Sequence, residues 1–107
     1  MCSVFSRIPK EQYAFETRSL RLGGHVTSVR LEHSYWGVLD EISQFQNVSV
    51  PKLLTKLYDE VLFRDGDVEN FASLLRCACL VFLKDVRGNP VKEHLLLTEA
   101  QVDLLAA

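Results

Sequence analysis

The chain is poor in the residues that several large protein classes depend on. Three cysteines in 107 residues, Cys2, Cys77 and Cys79, are too few for a disulfide scaffold. Cys77 and Cys79 stand two apart on an expected helix, so they project from nearly opposite faces and cannot chelate one metal; both are expected in the core. The longest apolar run, Cys77–Leu83, falls far short of the roughly 20 residues a membrane helix needs, so no membrane association is expected. The opening MCSVFSRIPKEQY has neither the apolar stretch nor the small-residue cleavage site of a secretion signal. A cytoplasmic location is the expectation. Catalytic constellations are missing too: there is no Ser-His-Asp set, no Cys-His pair and no Gly-rich phosphate loop. His25, His33 and His94 are scattered without paired ligand spacing. Asp40-Glu41 and Asp59-Glu60 are adjacent on expected helices, where neighbours do not converge on one face. No catalytic residue, metal or cofactor is expected.

The composition describes one small domain. Hydrophobic residues make up 48% of the chain, enough for a packed core, and 24% are charged, which argues against disorder. The net charge of −2 by itself speaks against a nucleic-acid partner, but the distribution is uneven. Residues 1–30 carry five basic and two acidic groups, net +3, and residues 31–107 carry seven basic and twelve acidic, net −5. The stretch 17–30 holds Arg18, Arg21 and Arg30 and no acid. A basic arm on an acidic body fits a local DNA-facing surface.

Periodicity is clearest in residues 26–61. Thr27 to Leu31 alternate, with Val29 and Leu31 on one face and Ser28 and Arg30 on the other, as a short strand does. The other strand-like stretch is the arm 18–22, RSLRL, followed by Gly23-Gly24. A lone strand leaves its backbone groups unpaired. Two remedies compete: the same strand from a second copy, or a hairpin of 18–22 on 26–31, for which a Gly-Gly pair between alternating runs is a signal. A helical turn is expected around 11–17. A helix over about 34–46 follows the strand, with Tyr35, Leu39, Ile42 and Phe45 in one stripe that Trp36 and Val38 widen. Asn47 ends it. Ser49 is an N-cap and Pro51 a first-turn residue for a second helix, about 50–63, with the stripe Val50, Leu53, Leu54, Leu57 and Val61. A third helix, about 68–85, becomes apolar on all sides at CACLVFL, as a centrally packed helix does. Gly88-Asn89-Pro90 breaks the chain. Thr98 and Gln101 form a capping box for a terminal helix at 99–106 with Val102 and Leu105 on one face. No internal repeat is evident.

The order strand, helix, short turn, helix in 26–61, VTSVRLEHSYWGVLDEISQFQNVSVPKLLTKLYDEV, resembles the ribbon-helix-helix family of bacterial DNA-binding dimers. The flanking RSLRLGGHVTSVRLE and NFASLLR resemble a subgroup with an N-terminal arm and extra C-terminal helices. The resemblance implies a mainly helical, single-domain fold: arm 1–24, ribbon-helix-helix core 25–63, helical extension 64–107. Its strand would pair antiparallel with that of a second subunit, with 18–22 extending that ribbon. Val29, Leu31, Trp36, Leu39 and Leu57 would then form the ribbon and dimer core. It further implies a homodimeric transcriptional regulator whose partner is double-stranded DNA. Val26, Ser28 and Arg30 would meet base edges in the major groove. The N-terminus of the second helix, at Ser49, Val50 and Lys52, would face a phosphate, with Arg18 and Arg21 as further phosphate contacts. A different class of reading is a protein-interaction dimer of the same fold without DNA binding, with a further protein partner.

Overall fold

The computed structural model describes residues 3–106, with side chains through residue 99. Two helical turns, α1 (Ser3–Ser6) and α2 (Lys10–Tyr13), lead into strands β1 (Phe15–Leu22) and β2 (His25–Glu32). Then come α3 (His33–Gln46), α4 (Val50–Asp65), α5 (Phe71–Val81) with a π-helical turn at Phe82–Val86, and α6 (Pro90–Ala106). The protein is thus mainly helical, with one two-stranded sheet.

β1 and β2 form an antiparallel hairpin within one chain, in a continuous register from Phe15 opposite Glu32 to Leu22 opposite His25. Gly23 and Gly24 close it with φ of 57° and 82°. Two consecutive positive φ values make a type I′ turn, whose twist suits a hairpin and which glycine enters without strain. The hairpin alternative is therefore the one realised for 26–31: its partner is the preceding arm, so a second copy is not required to satisfy that strand. The strand content also begins earlier than the alternating 18–22, and the helical turn expected at 11–17 is confined to Lys10–Tyr13.

The inner face of the hairpin presents Leu20, Leu22, Val29 and Leu31, all buried. They lie on a core that includes Trp36, Leu39, Leu54, Leu75, Cys79 and Phe82. Removing each such side chain from water contributes about 1.5–3 kcal/mol. Both helices of the central pair follow the periodicity. In α3, Trp36, Leu39 and Ile42 are buried, with Tyr35, Val38 and Phe45 packed at the margin. Asn47, with φ 55°, ends α3 in the left-handed conformation. Ser49 caps α4 by accepting a hydrogen bond from the Lys52 N–H at 3.3 Å. Leu57 packs against the core from a half-buried position.

Three expectations are corrected in the C-terminal half. The third helix starts at Phe71 rather than 68, because Asn70 takes a left-handed φ of 51° and the Val68 N–H is held by the Asp67 carboxylate at 2.8 Å. The terminal helix starts at Pro90, not at 99. Asn89 caps it through the Lys92 N–H at 3.2 Å, and Glu93 reaches back to the Gly88 N–H at 2.9 Å. Thr98 is consequently inside α6, its hydroxyl donating to the His94 carbonyl, and does not cap it. The side chains of Gln101, Val102 and Leu105 lie outside the described residues, as does Cys2. Finally, Cys79 is buried but Cys77 is exposed. The apolar run is covered on one side only: Leu80, Val81 and Leu83 reach solvent.

Candidate nucleic-acid interface

Alternation along the hairpin leaves one face of the sheet without a cover. Its outward positions are Phe15, Thr17, Ser19 and Arg21 on β1 and Val26, Ser28, Arg30 and Glu32 on β2, and all but the half-buried Glu32 are exposed. Cross-strand partners there are Thr17 with Arg30, Ser19 with Ser28, and Arg21 with Val26. Val26 is 70% exposed. The Arg30 guanidinium lies 4.2 Å over the ring of Phe15, which steers it across the face. Arg21 donates from Nη1 to the Gly24 carbonyl at 3.2 Å.

Two acids border this hairpin, and both are engaged. Glu16, on the inner face, takes the Arg18 guanidinium and lies 3.3 Å from the His33 ring nitrogen. The Arg18 hydrogen bond is the main reason its carboxyl is held below the usual value. Glu32, at the end of β2, receives a two-pronged contact from Arg76 of α5 at 2.8 and 3.0 Å. That bond likewise holds the Glu32 carboxyl below its ordinary range. The outward face is left with two arginines and hydroxyls, and the one carboxylate on it among these strands, Glu32 at its far end, is taken up by Arg76.

The two edges of the hairpin differ. In a hairpin closed by a two-residue turn, the bonded pairs alternate outward from the turn. The His33 N–H donating to the Ala14 carbonyl at 2.8 Å fixes the same phase at the far end. The backbone groups of Val26, Ser28 and Arg30 therefore point away from β1, along an open edge. On β1 the corresponding edge is partly covered: the Thr55 hydroxyl of α4 lies 3.4 Å from the Arg21 carbonyl.

Of the residues singled out in the sequence, the structure brings Val26, Ser28, Arg30 and Arg21 to one face. Arg18 is placed elsewhere. It points inward, bound to Glu16 and stacked 4.3 Å from the Trp36 ring. Ser49 and Lys52 are exposed at the start of α4, whereas the Val50 side chain is buried. Val29, Leu31, Trp36 and Leu39 are core residues of the single chain. Sequence reasoning misses Thr17 and Ser19 of the outward face; the alternation in FETRSLRL is the signal for them. Away from the hairpin residues, an apolar groove of about 640 Å³ lies among α3, α4, α5 and α6, with Leu53, Leu57, Ala78, Val81 and Leu95 in its walls. No helix among the described residues is long and apolar enough to cross a membrane.

Comparison with known proteins agrees with this geometry. The ribbon-helix-helix domain family matches residues 15–83, from the start of β1 into the π-helical turn. Among solved structures, the chain is similar to an uncharacterized protein from Bordetella pertussis Tohama I. The two share 43% identity with a TM-score of 0.75, over 78% of this chain and 66% of that one. The chain thus spans just under two thirds of that protein's length. No curated protein gives a significant match. With a family match over well over half of the chain, and with hairpin and paired helices in the matching order, this protein belongs to the ribbon-helix-helix family.

Proposed function

We propose that this protein is a sequence-specific DNA-binding protein of the ribbon-helix-helix family, acting in the cytoplasm as a homodimeric transcriptional regulator. The outward face of the hairpin enters the major groove, which admits a two-stranded ribbon. Arg30 supplies the bidentate fork that suits guanine O6 and N7, Ser28 bonds base edges, and Val26 meets a thymine methyl. The N-terminus of α4 faces a phosphate, where unpaired N–H groups and the positive dipole end favour an anion, with Lys52 one turn in. The observation that carries this reading is the exposed face holding Arg21 and Arg30, with the acids beside it neutralised. Ribbon-helix-helix proteins are typically dimers. The open edge of β2 and the apolar groove are the two surfaces here that support a second copy.

The test compares a duplex selected by the protein from random DNA with unselected duplex. Arg30→Ala is expected to lose about 1–3 kcal/mol on the selected duplex and much less on unselected DNA. Lys52→Ala is expected to weaken both alike and to flatten the salt dependence by about one unit. Absence of any salt-dependent duplex binding by the parent protein would refute the reading. A second reading, a dimer that binds another protein instead of DNA, has its own observations: the apolar groove, exposed Leu80, Val81, Val91 and Leu95, and the acidic body.

A further inference from the structure

Each face of the hairpin sets an arginine and a glutamate two residues apart on one strand, and the two pairs behave differently. Side chains at that spacing share a face, with Cα atoms about 7 Å apart, within reach of an Arg-Glu ion pair. On the inner face Glu16 and Arg18 stand at that spacing and pair. On the outward face Arg30 and Glu32 stand at the same spacing and do not. Both Glu32 carboxylate oxygens are taken by Arg76 of α5, at 2.8 and 3.0 Å. Arg30 has no ion pair among the described residues. Its guanidinium lies instead 4.2 Å over the ring of Phe15, the exposed residue directly across the strands from Glu32.

We propose that Phe15 and Arg76 are positioning residues for base reading: Arg76 occupies the carboxylate that would otherwise capture Arg30, and the Phe15 ring holds the Arg30 guanidinium on the outward face with its hydrogen-bond donors left for a base. This rests on the DNA-binding reading above and adds two residues that act on it through Arg30. The chemistry of the two possible partners decides the matter. A carboxylate takes a guanidinium by the same fork of N–H groups that guanine O6 and N7 require, so a captured Arg30 must break that pair before it can read. An aromatic face attracts the charge through its quadrupole and leaves the fork unoccupied. A side chain already held in place also loses less freedom on binding. Arg76, for its part, is tied to the helical body, since its guanidinium also lies 5.9 Å from the Tyr35 ring of α3. The bridge to Glu32 thus spans from α5 to the end of the ribbon, and Arg30 is left to the groove.

The test measures, for the full chain, the ratio of affinity for a selected duplex to that for unselected duplex. The proteins compared are the parent, Arg30→Ala, Phe15→Leu, Arg76→Met, Glu32→Gln and the double variant Arg76→Met with Glu32→Gln. Circular dichroism melts check that each is folded; methionine keeps the packing of the arginine stem. Arg76→Met should lower the ratio about 2- to 5-fold, the strength of one exposed ion pair, because the released Glu32 captures Arg30. Glu32→Gln breaks the same bridge from the other side and should leave the ratio as it is; combined with Arg76→Met it should restore it. Phe15→Leu should lower the ratio about 2- to 5-fold, as loss of an exposed cation–ring contact does; an unchanged ratio would overturn the part assigned to the ring. A general effect of charge shifts both duplexes together and leaves the ratio fixed in Arg76→Met, and that result overturns the part assigned to Arg76. So does a loss in Arg76→Met that Glu32→Gln does not restore, which would make Arg76 a DNA contact itself. In each of these cases a lowered ratio for Arg30→Ala keeps the DNA-binding reading intact. If the parent does not distinguish the duplexes, both fall.

Discussion

Trp36 is the side chain whose loss tests the packing most sharply, because it ties the hairpin to the helices. It is 1% exposed, its indole N–H donates to the Glu16 carbonyl of β1 at 2.9 Å, and Arg18 lies 4.3 Å over its ring. Truncation to alanine empties a large site, for which about 3–5 kcal/mol is expected. Within that, the hydrogen bond accounts for about 1 kcal/mol and the partly exposed cation over the ring for about 0.5–1 kcal/mol; packing supplies the rest. Trp36→Phe keeps most of the packing and removes the N–H, so about 1–2 kcal/mol is expected. Urea unfolding followed by circular dichroism reads both, since the only tryptophan is lost. At a slope of about 1.5 kcal/mol per molar, Trp36→Ala should lower the midpoint by about 2–3 M. A loss below about 1 kcal/mol for Trp36→Ala, or a parent protein emitting as a water-exposed indole, would refute this placement of α3 against β1.

The turn offers a second test. Gly24→Ala meets no atom within 4 Å and carries only the strain of φ 82°, whereas a Cβ on Gly23 would come within 2.9 Å of Tyr58 Cε1. That ring is held edge-on against Phe71 at 5.4 Å, so Gly23→Ala should cost more than the about 1–2 kcal/mol of left-handed strain expected at Gly24; equal thermal shifts would contradict the contact. Glu32 gives a pH dependence. Its carboxyl is lowered from the ordinary 4.5 by the Arg76 hydrogen bond, so its stabilisation is complete above that pH and is lost as pH falls through the lower folded value. Glu32→Gln should therefore melt below the parent near neutrality, with the gap closing on acidification. A gap that is constant from pH 7 to 3 would contradict it.

Much of this is legible in the sequence because local signals agree. In α3 and α4 the apolar stripe, the left-handed Asn47, the Ser49 cap and Pro51 all specify the same boundaries. β1 is only half visible, because its first turn of alternation places Glu16 and Arg18 on the inner face. A charged pair reads as a loop until its partners are known: here they satisfy one another, with His33 and the Trp36 ring completing the set. Pro90 reads as a breaker although it also suits the first turn of a helix. The exposure of Cys77 is not readable from an apolar run, since only the fold decides which side neighbours cover. Whether a strand pairs within its chain or with a copy rests on the turn, and Gly23-Gly24 allows both.

The central claim, that the outward hairpin face meets duplex DNA, is tested most directly by backbone amide NMR of the full chain titrated with the selected duplex at moderate salt. The account predicts that the largest shifts fall on Thr17, Ser19, Arg21, Val26, Ser28 and Arg30, with a second cluster at Ser49 to Lys52. Shifts confined to the groove among α3, α4, α5 and α6, or no shifts at saturating DNA, would contradict it.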